Sequence, residues 1–386
     1  MIADCQCNFP GLLLEDKIKI KELCRTLPDL KLTRMNQYSI DMRVGISIRA
    51  YTVVLGICLT IFTIIKTLSD SSNTIKFDIN VYKYKNFIPL TEEVDVISTN
   101  ISDTDYNQLI DIQFSFKNIY FPCNATKLLL LVLVHSAPQN FEKRRTIRET
   151  WGQNQKDVKL LFLIGSGFTQ EVEKKIFEEY NVFNDIIQGS FVDSYRNLTY
   201  KHMMALKYVV YHCSWTKYVL KTDDDIFVNM PSMKHFLTNV VSPYGSYKLL
   251  MCNVIPRTKA LRSFRSKWRV SFDEYELKEY PTYCLGWAVL YSPDVIFHFY
   301  REGQRTNYFW IDDVHITGII ANKLNFSYHV DISPLILSKR EVKLLINATD
   351  DYRPFLFGSG EMRESNIRNL WKYAAKRTVS EHDNQK

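Results

Sequence analysis

The stretch that decides the fold lies in the middle of the chain, where residues 218–228 read YVLKTDDDIFV. An apolar run leads into three consecutive aspartates, Asp223, Asp224 and Asp225, and a second apolar run follows them. Adjacent carboxylates at the end of a buried strand repel one another unless a cation lies among them. Because side chains alternate along an extended segment, Asp223 and Asp225 face one way and Asp224 the other. The stretch therefore predicts a strand end that holds a divalent cation through two carboxylates.

A simpler interpretation of the triplet is an acidic surface turn that caps a helix beginning near Pro231. A bare Asp-x-Asp pattern is more often such a turn than a metal site, because short motifs match by chance. The position of the triplet at the end of a buried strand favours the metal site, and other features of the sequence are needed to distinguish the two interpretations.

The residues around the triplet predict alternating strands and helices. Four segments have the apolar character of buried strands: 127–135, 158–164, 185–188 and 218–221. Helices are expected between them, at 141–151, 171–180 and 197–211. This alternation predicts an α/β fold with a mixed, mainly parallel central sheet flanked by helices. Ligands bind such sheets at the carboxyl ends of the strands, which is where the aspartates lie.

A second feature, near the N-terminus, predicts a membrane anchor. No charged residue occurs from Ala50 to Ile65, and the segment 44–65 is long enough to span a thin bilayer. Basic residues are denser before this segment than after it, which places the N-terminus in the cytosol and the rest in the lumen. A buried core helix or a cleaved signal peptide fits less well, because the segment is apolar all round and starts far from Met1.

The anchor sets the expected domain order. We expect four parts: a cytosolic tail at 1–43, a transmembrane signal anchor at 44–65, a polar lumenal stem at 66–125 and a catalytic domain at 126–386. Five Asn-x-Ser/Thr sequons follow the anchor, as expected for a glycoprotein. Two disulfides are expected in the lumen, with the pairing open among Cys123, Cys213, Cys252 and Cys284.

Composition excludes some classes of protein. Of the 386 residues 46% are hydrophobic, which provides for a large core. The formal charge of +7 is spread along the chain and lacks the basic patch of a nucleic-acid binder. Together with the anchor and the sequons, this excludes a soluble nucleic-acid-binding protein.

Five blocks of the C-terminal part resemble the β1,3-glycosyltransferase family of the Golgi, the β1,3-galactosyltransferases and β1,3-N-acetylglucosaminyltransferases. In chain order they are RRTIRETWG at 144–152, DSYRNLT at 193–199 with Lys201, KTDDDIFVN at 221–229, YPTYCLG at 280–286, and DDV at 312–314 with Gly318. Five blocks in the family's order are far more specific than any one of them. The resemblance implies a GT-A type nucleotide-sugar-binding fold in a single-pass type II protein of the Golgi membrane.

The resemblance also implies roles for individual residues. Asp223 and Asp225 match the family's metal-binding aspartates, for Mn²⁺ or Mg²⁺, and His329 lies about where the family carries a further metal ligand. Asp313 matches the aspartate that deprotonates the acceptor hydroxyl. The residues implied in binding the UDP-sugar donor are Arg144, Arg148, Asp193, Tyr195, Lys201, Asp224 and Gly286.

Several of these positions have simpler interpretations. Asp312 and Asp313 could both cap a helix predicted over 314–323, but one cap does not require two aspartates. We therefore favour a cap at Asp312 and a catalytic base at Asp313. For four other side chains the structural interpretation is preferred, a solvated face or a core position: Lys143, Arg145, Trp287 and Trp310. The histidines His135 and His202 are also interpreted as structural.

These observations predict an inverting, metal-dependent hexosyltransferase. It would move galactose from UDP-galactose to a hydroxyl of a glycan acceptor on a glycoprotein or glycolipid, in β1,3 linkage. Departures from the family's pattern at 285–288 (LGWA) and at His315 leave UDP-GlcNAc or UDP-GalNAc as alternative donors. The alternative from another class is a non-catalytic Golgi partner protein. The presence of Asp223, Asp225 and Asp313 together argues against it, because a protein without catalytic activity does not require all three. A homodimer is compatible with the sequence.

Overall fold

The computed structural model describes residues 87–92, 115–118, 128–326, 329–347 and 353–383. All of them belong to one compact unit, Asn73–Lys386. The predicted cytosolic tail and the predicted membrane anchor lie outside the described residues, as does most of the predicted stem. Within the described part of the chain, no helix is long and apolar enough to cross a bilayer.

The described residues form twelve strands. In chain order they are β1 (Ile88–Pro89), β2 (Phe116–Asn118), β3 (Leu130–His135), β4 (Val158–Ser166), β5 (Ile186–Val192), β6 (Tyr218–Asp223), β7 (Ser246–Tyr247), β8 (Leu250–Ile255), β9 (Thr258–Lys259), β10 (Glu279–Tyr280), β11 (Tyr283–Tyr291) and β12 (His329–Asp331). Eight of these strands form one sheet in the order β12-β8-β11-β6-β3-β4-β5-β2. The other four make two short antiparallel pairs, β1 with β7 and β9 with β10.

Eight α-helices pack around the sheet. They are α1 (Phe141–Glu149), α2 (Gln170–Phe183), α3 (Leu198–His212), α4 (Met230–His235), α5 (Pro293–Gly303), α6 (Ala321–Lys323), α7 (Lys339–Asn347) and α8 (Glu364–Asp383). Wider π-helical turns continue α4 over Phe236–Val241 and precede α6 over Val314–Ile320. Short 3₁₀ turns occupy Tyr195–Asn197 and Ser333–Leu335. The predicted α/β class, and each strand and helix predicted between 127 and 221, are confirmed.

The sheet is mixed, as predicted. Strands β3, β4, β5 and β6 run parallel, and so do β8 and β12. Strand β11 runs antiparallel to both β6 and β8, and β2 runs antiparallel to β5. Parallel strands need crossover connections, which α1, α2 and α3 provide between β3 and β6.

The buried side chains of β3 explain why this strand is central. All six of its residues are buried, and alternate ones enter different cores. Val132 and Val134 pack into the core that contains Ile147 of α1, whereas Leu131 and Leu133 pack into the core that contains Met203 of α3. A strand covered on both faces has to be apolar along its whole length, which is the pattern seen at 127–135.

A disulfide joins two neighbouring strands of the sheet. Cys252 of β8 and Cys284 of β11 are bonded, with their Cα atoms 5.5 Å apart. Cys213, at the end of α3, is also disulfide-bonded. The bond between β8 and β11 fixes β11 at the point where it enters the site described next.

Candidate active site

The aspartate triplet lies at the carboxyl end of β6, in the middle of the sheet. Asp223 is paired in register with His135 of β3, and the backbone N–H of Asp224 donates to the carbonyl of His135 at 3.0 Å. The side chain of Asp223 is 38% exposed and that of Asp225 28% exposed, whereas that of Asp224 is 7% exposed. Two carboxylates are thus open to solvent and the middle one points inward.

Asp224 connects the end of β6 to the start of α1. Its Oδ2 atom accepts hydrogen bonds from Ser136 Oγ at 2.7 Å and Asn140 Nδ2 at 2.8 Å. Its Oδ1 atom contacts Lys143 Nζ at 3.1 Å, and the same ammonium lies 3.5 Å from Asp225. Both oxygens of Asp224 are therefore bound by other protein groups. The interpretation of Lys143 as part of a solvated face was wrong, because its ammonium contacts two of the three aspartates.

Lys221 connects β6, β11 and the segment that begins at Asp312. Its side chain is nearly fully buried, its ammonium lies 3.1 Å from Asp223 and 3.8 Å from Asp312, and it donates to the carbonyl of Gly286. Burial opposes its charge, but Asp223 and Asp312 together raise the pKa of Lys221, so it stays protonated. A buried ammonium paired in this way fixes three chain segments relative to one another.

Asp312 is held as a buried carboxylate. His202 Nδ1 lies 3.0 Å from Asp312 Oδ2, and His202 Nε2 lies 3.1 Å from the Tyr291 hydroxyl. Burial lowers the pKa of His202, so the neutral ring donates to Asp312 and accepts from Tyr291. Burial alone would raise the pKa of Asp312, but Lys221 and His202 lower it to about 2. Asp312 therefore binds side chains and does not act as the predicted helix cap.

Asp313 has the opposite environment. Its Oδ1 atom accepts from the N–H of the next residue, Val314, at 2.8 Å, so Asp313 and not Asp312 makes a side-chain contact with the first N–H of the helical turn. Burial, and then the neighbouring charge of Asp312, raise the pKa of Asp313 to about 7. A carboxylate with a pKa near neutrality is suited to accept a proton during a reaction. Gly286 lies against it, and a Cβ atom there would approach Asp313 Cβ to 3.1 Å.

The two arginines expected to bind the donor are already engaged. Arg144 is fully buried and donates to Glu179, Ser136 and two backbone carbonyls, which uses its five N–H groups. Arg148 is paired with Glu179 at 2.7 Å and with Asp185 at 2.7 Å. These ion pairs join α1 to α2 and to Asp185, the residue before β5, so the structure does not present either guanidinium to the aspartates.

This arrangement predicts that Arg144 acts on stability. Replacing Arg144 with Met leaves the buried Glu179 with only Arg148 as its partner, so we expect a loss of about 3 kcal/mol in the free energy of unfolding. Urea denaturation measures it. Arg145, exposed and paired along the helix with Glu142 and Glu149, provides the control, and Arg145→Met should leave stability nearly unchanged. Equal stability of both variants would contradict the assignment.

The remaining donor-binding candidates occupy two different places. Lys201 Nζ contacts Asp193 at 2.9 Å and the Ser136 carbonyl at 2.6 Å, and Asp193 also accepts from the N–H of Gly165. This buried pair supports the carboxyl ends of β3 and β4. Tyr195 is half exposed, and burial together with the charges of Asp313, Asp312 and Asp223 raises its pKa, so it lies beside the acidic cluster.

The structure does not bring His329 to the aspartates. His329 is aligned with Leu250 in β8, Leu250 with Tyr291 in β11, and Tyr291 with Val219 in β6. It therefore lies three strands away and four residues below Asp223, roughly 20 Å along the sheet. Its Nε2 atom is 2.8 Å from the carbonyl of Thr317. The metal role implied for His329 has no support in this geometry.

The residues present fit a divalent cation bound through two carboxylates. Among the described residues no group of three or more His, Cys, Asp or Glu side chains is arranged to hold a metal. Asp223 and Asp225 each keep exposed carboxylate surface, and burial together with neighbouring carboxylates raises the pKa of both, which a bound cation would reverse. Mg²⁺ and Mn²⁺ are commonly held by one or two carboxylates plus substrate phosphates.

Sequence reasoning missed two lysines and a histidine of this site. Lys221 stands two residues before Asp223 in an otherwise apolar strand, so both side chains face the same side. That spacing was a usable signal. The contact of Lys143 with Asp224, and of His202 with Asp312, spans 81 and 110 residues, and no local pattern encodes it.

Comparison with known proteins identifies the family. Residues 142–331 match the family model described as Galactosyltransferase. Beta-1,3-galactosyltransferase 1 of Homo sapiens is 34% identical over 216 residues, which cover 52% of this chain and 62% of that protein. Lactosylceramide 1,3-N-acetyl-beta-D-glucosaminyltransferase of Homo sapiens is 35% identical over 213 residues, covering 52% of this chain and 56% of that protein. The chain thus spans less than two thirds of the length of these relatives.

Among solved structures, the galactosyltransferase LgtC in complex with donor and acceptor sugar analogs aligns with 64% of this chain and 95% of its own. The two are 11% identical with a TM-score of 0.33, too low for the likeness to carry a structural argument. The sequence matches, in contrast, cover the aspartate triplet, Lys201, Gly286 and Asp313. Residues 142–331, about half of this chain, thus match the galactosyltransferase family.

Proposed function

We propose that the protein is an inverting hexosyltransferase with a GT-A type fold. It transfers galactose from UDP-galactose to a hydroxyl of an acceptor glycan on a glycoprotein or glycolipid, in β1,3 linkage. The observation that carries the proposal is the pair of unlike aspartates: Asp312, fixed as a carboxylate by Lys221 and His202, raises the proton affinity of Asp313. Lys221 also contacts the partly exposed Asp223. Such a difference in pKa between neighbouring carboxyl groups is typical of sites where one of them acts as the base.

The chemistry requires one base and one stabilised leaving group. The acceptor oxygen attacks the anomeric carbon while its proton passes to Asp313. The bond between that carbon and the β-phosphate oxygen breaks, and its electron pair leaves with UDP. Asp223 and Asp225 would hold Mn²⁺ or Mg²⁺, which when bound supplies a positive charge to the phosphate oxygens. Lys221 and Lys143 keep the two carboxylates in place.

The donor sugar is proposed from the family alone. The family model and one relative carry galactose in their descriptions, and another relative carries N-acetylglucosamine. UDP-GlcNAc or UDP-GalNAc is therefore the alternative donor. A non-catalytic partner protein is the alternative of another class. It is disfavoured because a scaffold has no need for a buried carboxyl group whose pKa lies near 7.

We also propose that the protein resides in the Golgi membrane with a single-pass type II topology. The proposal rests on the uncharged segment from Ala50 to Ile65 and on the excess of basic residues before it. The bond between Cys252 and Cys284 is consistent with an oxidising compartment.

A panel of donors tests the proposed function. The purified protein is offered UDP-galactose, UDP-GlcNAc and UDP-GalNAc in turn with Mn²⁺ and a mixture of glycan acceptors, and released UDP is measured. We expect acceptor-dependent UDP release with UDP-galactose. Release with UDP-GlcNAc or UDP-GalNAc instead would change the donor assignment. If the folded protein releases UDP from none of the three donors, the result would support the non-catalytic alternative.

A further inference from the structure

The candidate site holds more negative than positive charge. Its carboxylates are Asp223, Asp224, Asp225, Asp312 and Asp313, and the ammonium groups in contact with them are Lys143 and Lys221. With every carboxylate ionised, three negative charges are in excess, and a nucleoside diphosphate adds more. One divalent cation does not offset that total. Binding of the donor therefore calls for another positive group that faces the site.

The basic residues expected for this task are committed elsewhere. Arg144 and Arg148 are paired with Glu179, and Lys201 is paired with Asp193. All three are buried or nearly so. Moving one of them toward a ligand would leave a buried carboxylate without a partner, which is costly. The cation for the diphosphate has to come from another element.

The loop between β9 and β10, residues 260–278, supplies a cation with no such commitment. Lys267 is exposed, and its Nζ atom lies 4.4 Å from the centre of the Trp268 ring and 5.9 Å from that of the Tyr195 ring. Among the described residues, no carboxylate lies within 4.0 Å of this ammonium. Two aromatic faces limit its orientation without neutralising its charge.

Two neighbours of Lys267, Tyr195 and Glu361, connect it to the candidate site. On one side, Tyr195 lies in the field of Asp313 and Asp223. On the other side, Lys339 chiefly and Lys267 in addition lower the pKa of Glu361. Glu361 is followed by Met362, whose N–H donates to the carbonyl of Asp225 at 2.9 Å. The ammonium thus has one neighbour, Tyr195, that is influenced by the candidate base, and another, Glu361, that directly precedes a residue hydrogen-bonded to Asp225.

We propose that Lys267 is a binding residue for the diphosphate of the nucleotide-sugar donor. This inference rests on the proposed function and names the protein group that meets the leaving UDP. The ammonium offsets the negative charge that remains on the β-phosphate oxygen when the bond to the anomeric carbon breaks. A lysine suits this position because its compact charge on a flexible stem can follow the phosphate.

Isothermal titration calorimetry with the whole protein and Mn²⁺ tests the inference, with UDP and uridine as the two probes. We expect Lys267→Gln to weaken UDP binding about tenfold and to leave uridine binding unchanged, because only UDP carries the diphosphate. Lys267→Arg keeps the charge and should retain most of the affinity. The control is Arg265→Gln, in the same loop and also exposed, which should bind UDP as the unmodified protein does.

The possible failures are distinguishable. If the unmodified protein binds UDP and Lys267→Gln binds it equally well, the inference is wrong and the proposed function stands. If Lys267→Gln loses UDP and uridine affinity to the same degree, or Arg265→Gln weakens UDP as much, the effect belongs to the loop and the assignment is overturned. If the folded, unmodified protein binds no UDP at all, the proposed function and the inference both fail.

Discussion

Replacing Asp313 with Asn is expected to reduce kcat about a thousandfold while leaving the affinity for UDP unchanged. Asparagine keeps the size of the side chain and can still accept from the N–H of Val314, so the local backbone should hold. It cannot take the acceptor proton. Steady-state kinetics gives kcat, and calorimetry gives the UDP affinity. Asp273→Asn, a change of the same kind at an exposed position, is the control and should leave both values unaltered.

The pH profile of the unmodified enzyme is a second readout of the same residue. Asp313 has to be ionised to accept a proton, and its pKa is raised to about 7. The value of kcat/KM should therefore fall about tenfold per unit as pH decreases below 7. If the base had the ordinary pKa of an aspartate, kcat/KM would stay unchanged down to a much lower pH. Full activity of Asp313→Asn, or a flat profile down to pH 5, would exclude Asp313 as the base.

Removal of the metal is expected to have an effect of similar size. EDTA should abolish UDP release, and added Mn²⁺ should restore it. Asp225→Asn should lower kcat/KM by at least about a hundredfold at limiting Mn²⁺, because it removes one of two protein carboxylates from the cation. Asp157→Asn, at the opposite end of the sheet beside Lys234, provides the control. Undiminished activity in EDTA would contradict the metal role of both aspartates.

The fold was largely predictable from the sequence because its strands are buried on both faces. Such strands are apolar along their whole length, as at β3, and their limits are visible without knowledge of their neighbours. The position of the aspartates also followed from local pattern. The apolar run of β6 ends just before them, and the alternation of strands and helices makes this the carboxyl end of a parallel strand. The strand order beyond β6 did not follow, since it depends on pairings among β8, β11 and β12 that no local signal encodes.

The site was only partly predictable, for a physical reason. Resemblance to a family gives residue types at matching positions, but it does not say which of them meet. Arg144 lies in a donor-binding block, but its guanidinium is paired with Glu179 and does not face the aspartates. His329 lies at about the right distance along the chain for a metal ligand, but it is in β12, far from the aspartates at the end of β6. Conversely, Lys221 and His202 set the charge of Asp312 through contacts made only when distant segments pack together.

Anomalous diffraction can show directly whether the two acidic side chains at the end of β6 hold a cation where UDP leaves. Crystals grown with Mn²⁺ and UDP are measured at the manganese absorption edge. We expect an anomalous peak between the carboxylates of Asp223 and Asp225, with phosphate oxygens completing the coordination. Bound UDP with no peak at that position, or a manganese ion coordinated elsewhere in the chain, would contradict it.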